Sequence, residues 1–352
     1  MYHTAELTYT PTRTLFNKFI NNPHTKYIPD DAVFLNTYYS NKGVTFFGYE
    51  QNNVDFHRPL IKAKLNFAEM TGAEVRLGVS DADYGKISDA FNEVMLDLFE
   101  ASTQTNLMNW RVHRIDYAVD IHTPYVSKYI KLLKKSNVRH HKKSYKEEHH
   151  IEEYEDSFYR VSRAERTKNR STTINFYDKY KQAQTKENVT AEEIEQVKDI
   201  LRLEVECHKI KTETIKRKYE FNAKQPYEYI DAAVSYDVIK HTLTNITRDA
   251  DFQRRSVALD MIEQSSYKQS NKRLMKKLIE DVAVQNSSIE KVRQAWEQKN
   301  ICSKAKFSEL LRKLELINVN PVTISDNEKL EGKTYKEGLE SLHKLFEDAY
   351  WS

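Results

Sequence analysis

The sequence predicts an α+β protein: a central antiparallel sheet with flanking helices over residues 1–222, followed by an all-α region over residues 223–352. Three observations predict it. Up to about residue 209, short stretches that alternate apolar and polar residues are interspersed with stretches of helical period. Beyond about residue 222 the strand signals mostly stop and helical periods recur. At ~150 residues per domain, 352 residues suffice for two units with a sizeable core in at least one.

The strand candidates are 6–10, 44–50, 58–67, 111–122, 171–179 and 200–208. Between them, Lys86 to Ser102 sets Ile87, Phe91, Val94, Met95 and Leu98 at helical spacing, which predicts an amphipathic helix over the sheet. A second helix follows Thr123-Pro124, with Pro124 at its first position and Tyr129, Leu132 and Leu133 on its buried face. A third, near 191–199, opens with Thr190 and Glu193 at capping-box spacing and leads into the strand at 200–208. The stretch 139–170 is dense in charge, His and Glu, and reads as a long solvated connection. The helical periods that follow fall at 226–244, 250–264, 270–284, 286–298, 303–316 and 335–349.

Composition removes several classes. With 39% hydrophobic and 30% charged residues the chain reads as a soluble globular protein. No apolar run approaches ~18 residues, and MYHTAELTYT lacks the basic and apolar regions of a secretory signal, so a cytoplasmic location is expected. Cys207 and Cys302 stand far apart without a CxxC partner, which argues for packing roles and against a disulfide framework or zinc ribbon. A net charge of +3 requires any attraction for nucleic acid to come from local segregation of charge. Only 7 glycines accompany 22 tyrosines and no GxxxxGK[ST] occurs, so a P-loop NTPase is disfavoured.

Three strand segments carry the chemistry on their polar sides, because alternate residues of a strand face opposite sides of a sheet. In 114–122, Ile115, Tyr117, Val119 and Ile121 point to the core and Asp116, Asp120 and His122 point away. In 173–179, Ile174 and Phe176 oppose Asn175, Tyr177 and Lys179. In 201–208, Leu201, Leu203, Val205 and Cys207 oppose Arg202, Glu204, Glu206 and His208. If the three pair in one sheet, a single side collects carboxylates, a tyrosine, a lysine and an arginine. Such a set suits phosphoryl transfer on DNA. Oxygen ligands such as Asp116 and Glu204 suit a hard cation, Mg²⁺ or Mn²⁺, and Lys179 and Arg202 suit the charge on phosphate oxygens. A phenol needs activation, having an ordinary pKa of ~10. Pattern alone favours a simpler explanation, a solvated side, since most antiparallel strands with one wet side alternate this way.

Three blocks resemble the gene II proteins of filamentous phages and the related II/X family of phage and plasmid replication initiators. HRIDYAVDIHTP, 113–124, is similar to that family's RID strand and following helix. RSTTINFYDKYKQ, 170–182, resembles the segment that holds the catalytic tyrosine, which falls on Tyr177, with the basic residue on Lys179. LRLEVECHK, 201–209, resembles the [LV]RxE strand and places Arg202 and Glu204. Weaker similarity covers 60–72 and 291–321, in the same order and spacing. The resemblance implies a nicking domain over 1–222, rolling-circle nicking through a 5′-phosphotyrosyl intermediate, and strand joining by the same enzyme in a bacterial host. It also implies a free 3′-OH for a host polymerase, with a host helicase as the accompanying partner. Asp116 and Glu204 are the metal ligands it implies, with Asp120, Glu206 and His122 as further candidates. The His-hydrophobe-His motif of many related nickases is absent, and the doublets His140-His141 and His149-His150 cannot replace it, because adjacent strand residues face opposite ways.

Other residues weigh less. Tyr180 points away from Tyr177 if the strand continues, Tyr117 belongs to the core, and Tyr154, Tyr159, Arg160 and Arg163 read as solvated loop rather than as a base-stacking cluster. DNA contact is expected from basic helix faces, Lys216, Arg217 and Lys218 and then Arg273, Lys276 and Lys277, although a charged helix face is as readily a solvated surface. The segment 286–315 reads equally as a helix-turn-helix or as ordinary antiparallel packing. The helical region is assigned to origin recognition or to homo-oligomer formation.

Overall fold

The computed structural model describes residues 2–53, 56–72, 79–100, 106–136, 142–144, 156–163, 169–185, 189–284, 287–328 and 338–351. Its centre is a ten-stranded antiparallel sheet. The strands are β1 (Tyr2–Tyr9), β2 (Thr25–Ile28), β3 (Val33–Asn36), β4 (Val44–Asn53), β5 (Phe56–Asn66), β6 (Arg111–His122), β7 (Lys142–Ser144), β8 (Ser157–Arg163), β9 (Arg170–Asp178) and β10 (Ile200–Cys207). Their order across the sheet is β2-β3-β4-β5-β1-β6-β10-β9-β8-β7. The three motif strands β6, β10 and β9 are therefore neighbours, although β10 comes last in the chain.

Helices complete the first part of the chain: α1 (Arg13–Ile20), α2 (Phe67–Thr71), α3 (Tyr84–Phe99), α4 (Val126–Lys135), α5 (Lys179–Gln184), α6 (Ala191–Gln196) and α7 (Lys209–Lys218). In α3 the expected stripe, Ile87, Phe91, Val94, Met95 and Leu98, is buried. Thr190 and Glu193 close the expected capping box of α6, with Thr190 N donating to Glu193 Oε2 at 2.7 Å.

The remaining elements are α8 (Pro226–Tyr229), α9 (Ala232–Ile246), β11 (Phe252–Gln253), α10 (Arg255–Gln264), α11 (Gln269–Ala283), α12 (Ile289–Gln298), α13 (Lys304–Leu316), β12 (Gly338–Leu339) and α14 (Leu342–Trp351). This region departs from the expected all-α form by strand pairing, a short ladder and a parallel bridge between Arg254 and Ile324. Phe252 pairs with Leu339 and Gln253 with Gly338, so the helical periods over 250–264 and 335–349 begin only after a short antiparallel ladder. Gly338, at φ 159°, has the backbone freedom that this pairing uses; a Cβ there would lie 2.4 Å from the Phe252 carbonyl.

The apolar core runs across the expected boundary at residue 222 without a break, from Tyr2 and Phe16 through Tyr117 to Trp296 and Phe346. α9 and α14 both pack on β6. Polar bonds follow the same route: the Tyr117 hydroxyl donates to the Tyr229 carbonyl at 3.1 Å, and Tyr129 to the Glu340 carbonyl at 3.0 Å. The stretch 139–170, expected as a connection, contributes β7 and β8 to the sheet, with Phe158 and Val161 buried. Among the described residues no helix is long and apolar enough to cross a membrane.

Candidate functional site on the polar side of the sheet

Strand register places the functional groups in rows. Asp120, Arg202 and Tyr177 stand opposite one another across β6, β10 and β9; Ala118, Glu204 and Asn175 form the next row; Asp116, Glu206 and Thr173 the third. β8 extends the first row with Ser157 and the second with Tyr159. The expected polar side thus exists, but its first row is buried together with Lys179, with Arg202 2% exposed, Lys179 3%, Asp120 6% and Tyr177 8%, while Glu204, Glu206 and Asn175 are half-buried. Buried charges at these values persist only when paired. Ile200, on the same side of β10, meets Ala183 of α5 and Val197 after α6, so these two short helices cover one end of the site.

The pairing is specific. The Tyr177 hydroxyl donates to Glu204 Oε1 at 2.6 Å, and His3 Nε2 lies 3.7 Å from the same oxygen. Arg202 donates to both carboxylate oxygens of Asp120, at 2.6 and 2.8 Å, and Lys179 Nζ donates to Asp120 Oδ2 at 2.7 Å. Burial works to raise the Asp120 pKa, but the charges and hydrogen bonds of Arg202 and Lys179 outweigh it and hold the carboxyl below its ordinary value. Lys179 is brought down to about 8 by burial and by the neighbouring Arg202 charge. The Tyr177 phenol is pushed well above its ordinary value by burial and by the charge of Glu204. Tyr177 and Glu204 open on a cleft of about 520 Å³ whose walls also include His3, Tyr159, Asn175 and Lys181.

Lys179 reaches this position by a different route from the expected one. The strand ends at Asp178, whose carboxylate accepts from Lys181 N at 3.2 Å and caps α5, so Lys179 is a helix residue. Tyr180 consequently lines a neighbouring cleft, with Lys128 and Lys198.

The five expected metal ligands do not converge. Asp116 is gripped by two guanidinium nitrogens of Arg114, at 2.8 and 2.6 Å, and accepts the Thr4 hydroxyl. Burial nonetheless pushes its carboxyl up to about 6. Glu206 lies 3.3 Å from His208 Nε2 and 3.4 Å from Arg114 Nη2. Asp120 is held by Arg202 and Lys179, and His122 is exposed at the end of β6, opposite Ile200. Glu204 is the member of the set that faces the Tyr177 cleft. Among the described residues no group of three or more His, Cys, Asp or Glu could hold a metal ion. Cationic side chains hold Asp116, Asp120 and Glu206, and Glu204 alone of the expected carboxylates faces the cleft, so the described residues form no shared site for Mg²⁺ or Mn²⁺.

The expected DNA-contact residues lie elsewhere than the cleft walls. Lys218 is exposed and pairs with Asp237 at 2.7 Å, beside half-buried Lys216 and exposed Arg217 on α7. On α11, Lys276 pairs with Glu263 at 2.7 Å, Lys277 with Asp281 at 3.3 Å, and Arg273 is exposed. α12 and α13 form two helices joined by a short turn, with Trp296 against Phe307 edge-on at 5.6 Å. Cys207 is buried and Tyr117 belongs to the core, as expected. His140, His141, His149, His150 and Tyr154 lie outside the described residues.

Sequence reasoning missed His3, because the first strand was expected to begin only at residue 6. It also missed the place of Tyr159 on β8 in the cleft wall, because the buried residues of that strand, Phe158 and Val161, are three apart and do not alternate. No family model, curated protein or solved structure matches this chain.

Proposed function

We propose that this chain is a DNA strand-nicking and strand-joining enzyme of the rolling-circle initiator kind, built on a nickase-like sheet, with Tyr177 as its nucleophile. The observation that carries the reading is the Tyr177–Glu204 hydrogen bond at the mouth of a cleft, backed by the buried cations Arg202 and Lys179. A phenol whose pKa is held high does not ionise by itself at neutral pH; it requires a base in contact at the moment of attack, and Glu204 stands in that place.

In this mechanism the Tyr177 oxygen attacks the scissile phosphorus as its proton passes to Glu204. The O–P bond to tyrosine forms, the P–O3′ bond breaks, and the departing 3′ oxygen takes a proton from water. Arg202 and Lys179 oppose the charge that grows on the phosphate oxygens. Joining is the reverse: a 3′-OH gives up its proton to solvent and attacks the phosphorus, the P–O bond to tyrosine breaks, and Glu204 returns the proton to the Tyr177 oxygen. No step passes through Mg²⁺ or Mn²⁺, because the ligands expected for it do not converge. In this proposal DNA is the substrate, a host helicase and polymerase act alongside, and the helical region recognises the origin or joins copies of the chain.

A second reading, a DNA-binding regulator without chemistry, is favoured by the burial of Tyr177 and by its raised pKa. A nicking assay on supercoiled and single-stranded DNA separates the two. The enzyme leaves a covalent protein–DNA adduct, and the regulator binds without cutting.

A further inference from the structure

We infer that the cleft beside Tyr177 contains a subsite for one unpaired nucleobase, in which Tyr159 supplies a stacking face and Asn175 a hydrogen-bond acceptor. The inference rests on the nicking reading and names what the cleft takes besides the scissile phosphate.

Tyr159 and Asn175 are cross-strand partners on β8 and β9, and Asn175 is in turn the partner of Glu204 on β10. All three line the cleft. Directly opposed residues on one side of an antiparallel pair have Cβ atoms about 5 Å apart. An aromatic ring and a carboxamide therefore stand side by side, one row along the strands from Tyr177, a distance of about 7 Å.

The Asn175 Oδ1 is buried and has no hydrogen-bond partner among the described residues. A buried acceptor without a donor is destabilising, and native structures keep few of them without a reason. A ligand that brings an N–H donor into the cleft removes that cost. Among the residues that line the cleft, the carboxylates of Asp156, Asp178 and Glu204 outnumber the one lysine, Lys181. That balance disfavours a second phosphate and suits a neutral group rich in amino donors. An aromatic face adds affinity for any base, because every base has a π-face. A carboxamide oxygen adds selection, because adenine, cytosine and guanine carry an exocyclic amino group and thymine does not.

The test uses the full chain and a randomised single-stranded oligonucleotide library, with covalent adducts recovered and sequenced around the nick. Wild type is expected to enrich one amino-bearing base over thymine at one flanking position, by about tenfold, as one good base contact gives. Asn175→Ala is expected to flatten that preference while still forming adduct. Replacing the preferred base by its analogue lacking the amino group is expected to lower wild-type adduct yield to the level seen with thymine, a readout that needs no variant to fold. Tyr159→Ala is expected to weaken single-strand binding about tenfold whatever the base, and Tyr159→Phe to leave it unchanged. The inference is overturned if wild type forms adduct with no base preference beside the nick, or if Asn175→Ala keeps the wild-type preference. Failure of wild type to form adduct with any member of the library overturns the nicking reading itself, and the subsite with it.

Discussion

Tyr177 on β9 donates its phenolic hydrogen to Glu204 on β10 across 2.6 Å, and the two side chains are brought together by strand register alone. Arg202, opposite Tyr177 on β10, precedes Glu204 by two residues and lies on the same side of that strand. One short segment therefore places a base and a cation beside one phenol.

Glu204→Gln keeps the shape and the hydrogen-bond reach of the side chain but removes the base. The nicking rate is expected to fall about 10²- to 10⁴-fold, the usual range for a general base. DNA affinity, measured by fluorescence anisotropy, is expected to change little. An unchanged nicking rate would remove Glu204 from the proton path.

The pH dependence should show Lys179. With its pKa brought down to about 8, the ammonium is charged below that value and neutral above it, so nicking is expected to decline as the pH rises through about 8. Lys179→Met removes the titrating group and is expected to be about 10²-fold slower, with no decline there. A matching decline in Lys179→Met would assign it to another residue.

Asp120 holds two cations in the interior, so its loss strands both. Asp120→Ala is expected to cost about 3–5 kcal/mol in denaturant unfolding at neutral pH. The sign of the pH effect follows from its lowered pKa: the stabilisation is present above the ordinary carboxyl value near 3.8 and is lost as pH falls through the folded value. The gap between wild type and variant should narrow on acidification. If Asp120 instead served a metal, the variant would lose Mn²⁺ affinity in a calorimetric titration while its stability stayed near wild type.

The core shared across residue 222 carries a further expectation. A fragment of residues 1–222 exposes the side of β6 that α9 and α14 cover, and is expected to aggregate or to lack a cooperative thermal transition. A soluble, cooperatively folding fragment would show an independent unit.

The motif strands were legible because their alternation is unbroken over six or more residues, as in Ile115, Tyr117, Val119 and Ile121 against Asp116 and Asp120. Helices such as α3 were legible from their apolar stripe. Burial of the polar side was not, because the covering α5 and α6 become neighbours of the sheet only through the turn that Asp178 caps. Arg114 as the partner of Asp116 was within reach, since residues two apart on a strand share a side. His3 was not within reach, because nothing near it in the chain shows that β1 lies between β5 and β6. β8 was hidden by the charged residues around it, which suppress the apolar alternation that marks a strand.

The central claim is tested most directly by incubating wild type and Tyr177→Phe with supercoiled and single-stranded DNA, with and without Mg²⁺ or Mn²⁺, and analysing the products for a covalent protein–DNA adduct. The account predicts a nick with a free 3′-OH and an adduct whose DNA-linked peptide contains Tyr177, both absent from Tyr177→Phe. An adduct that persists in Tyr177→Phe, or binding without cleavage by wild type under every condition, would contradict it.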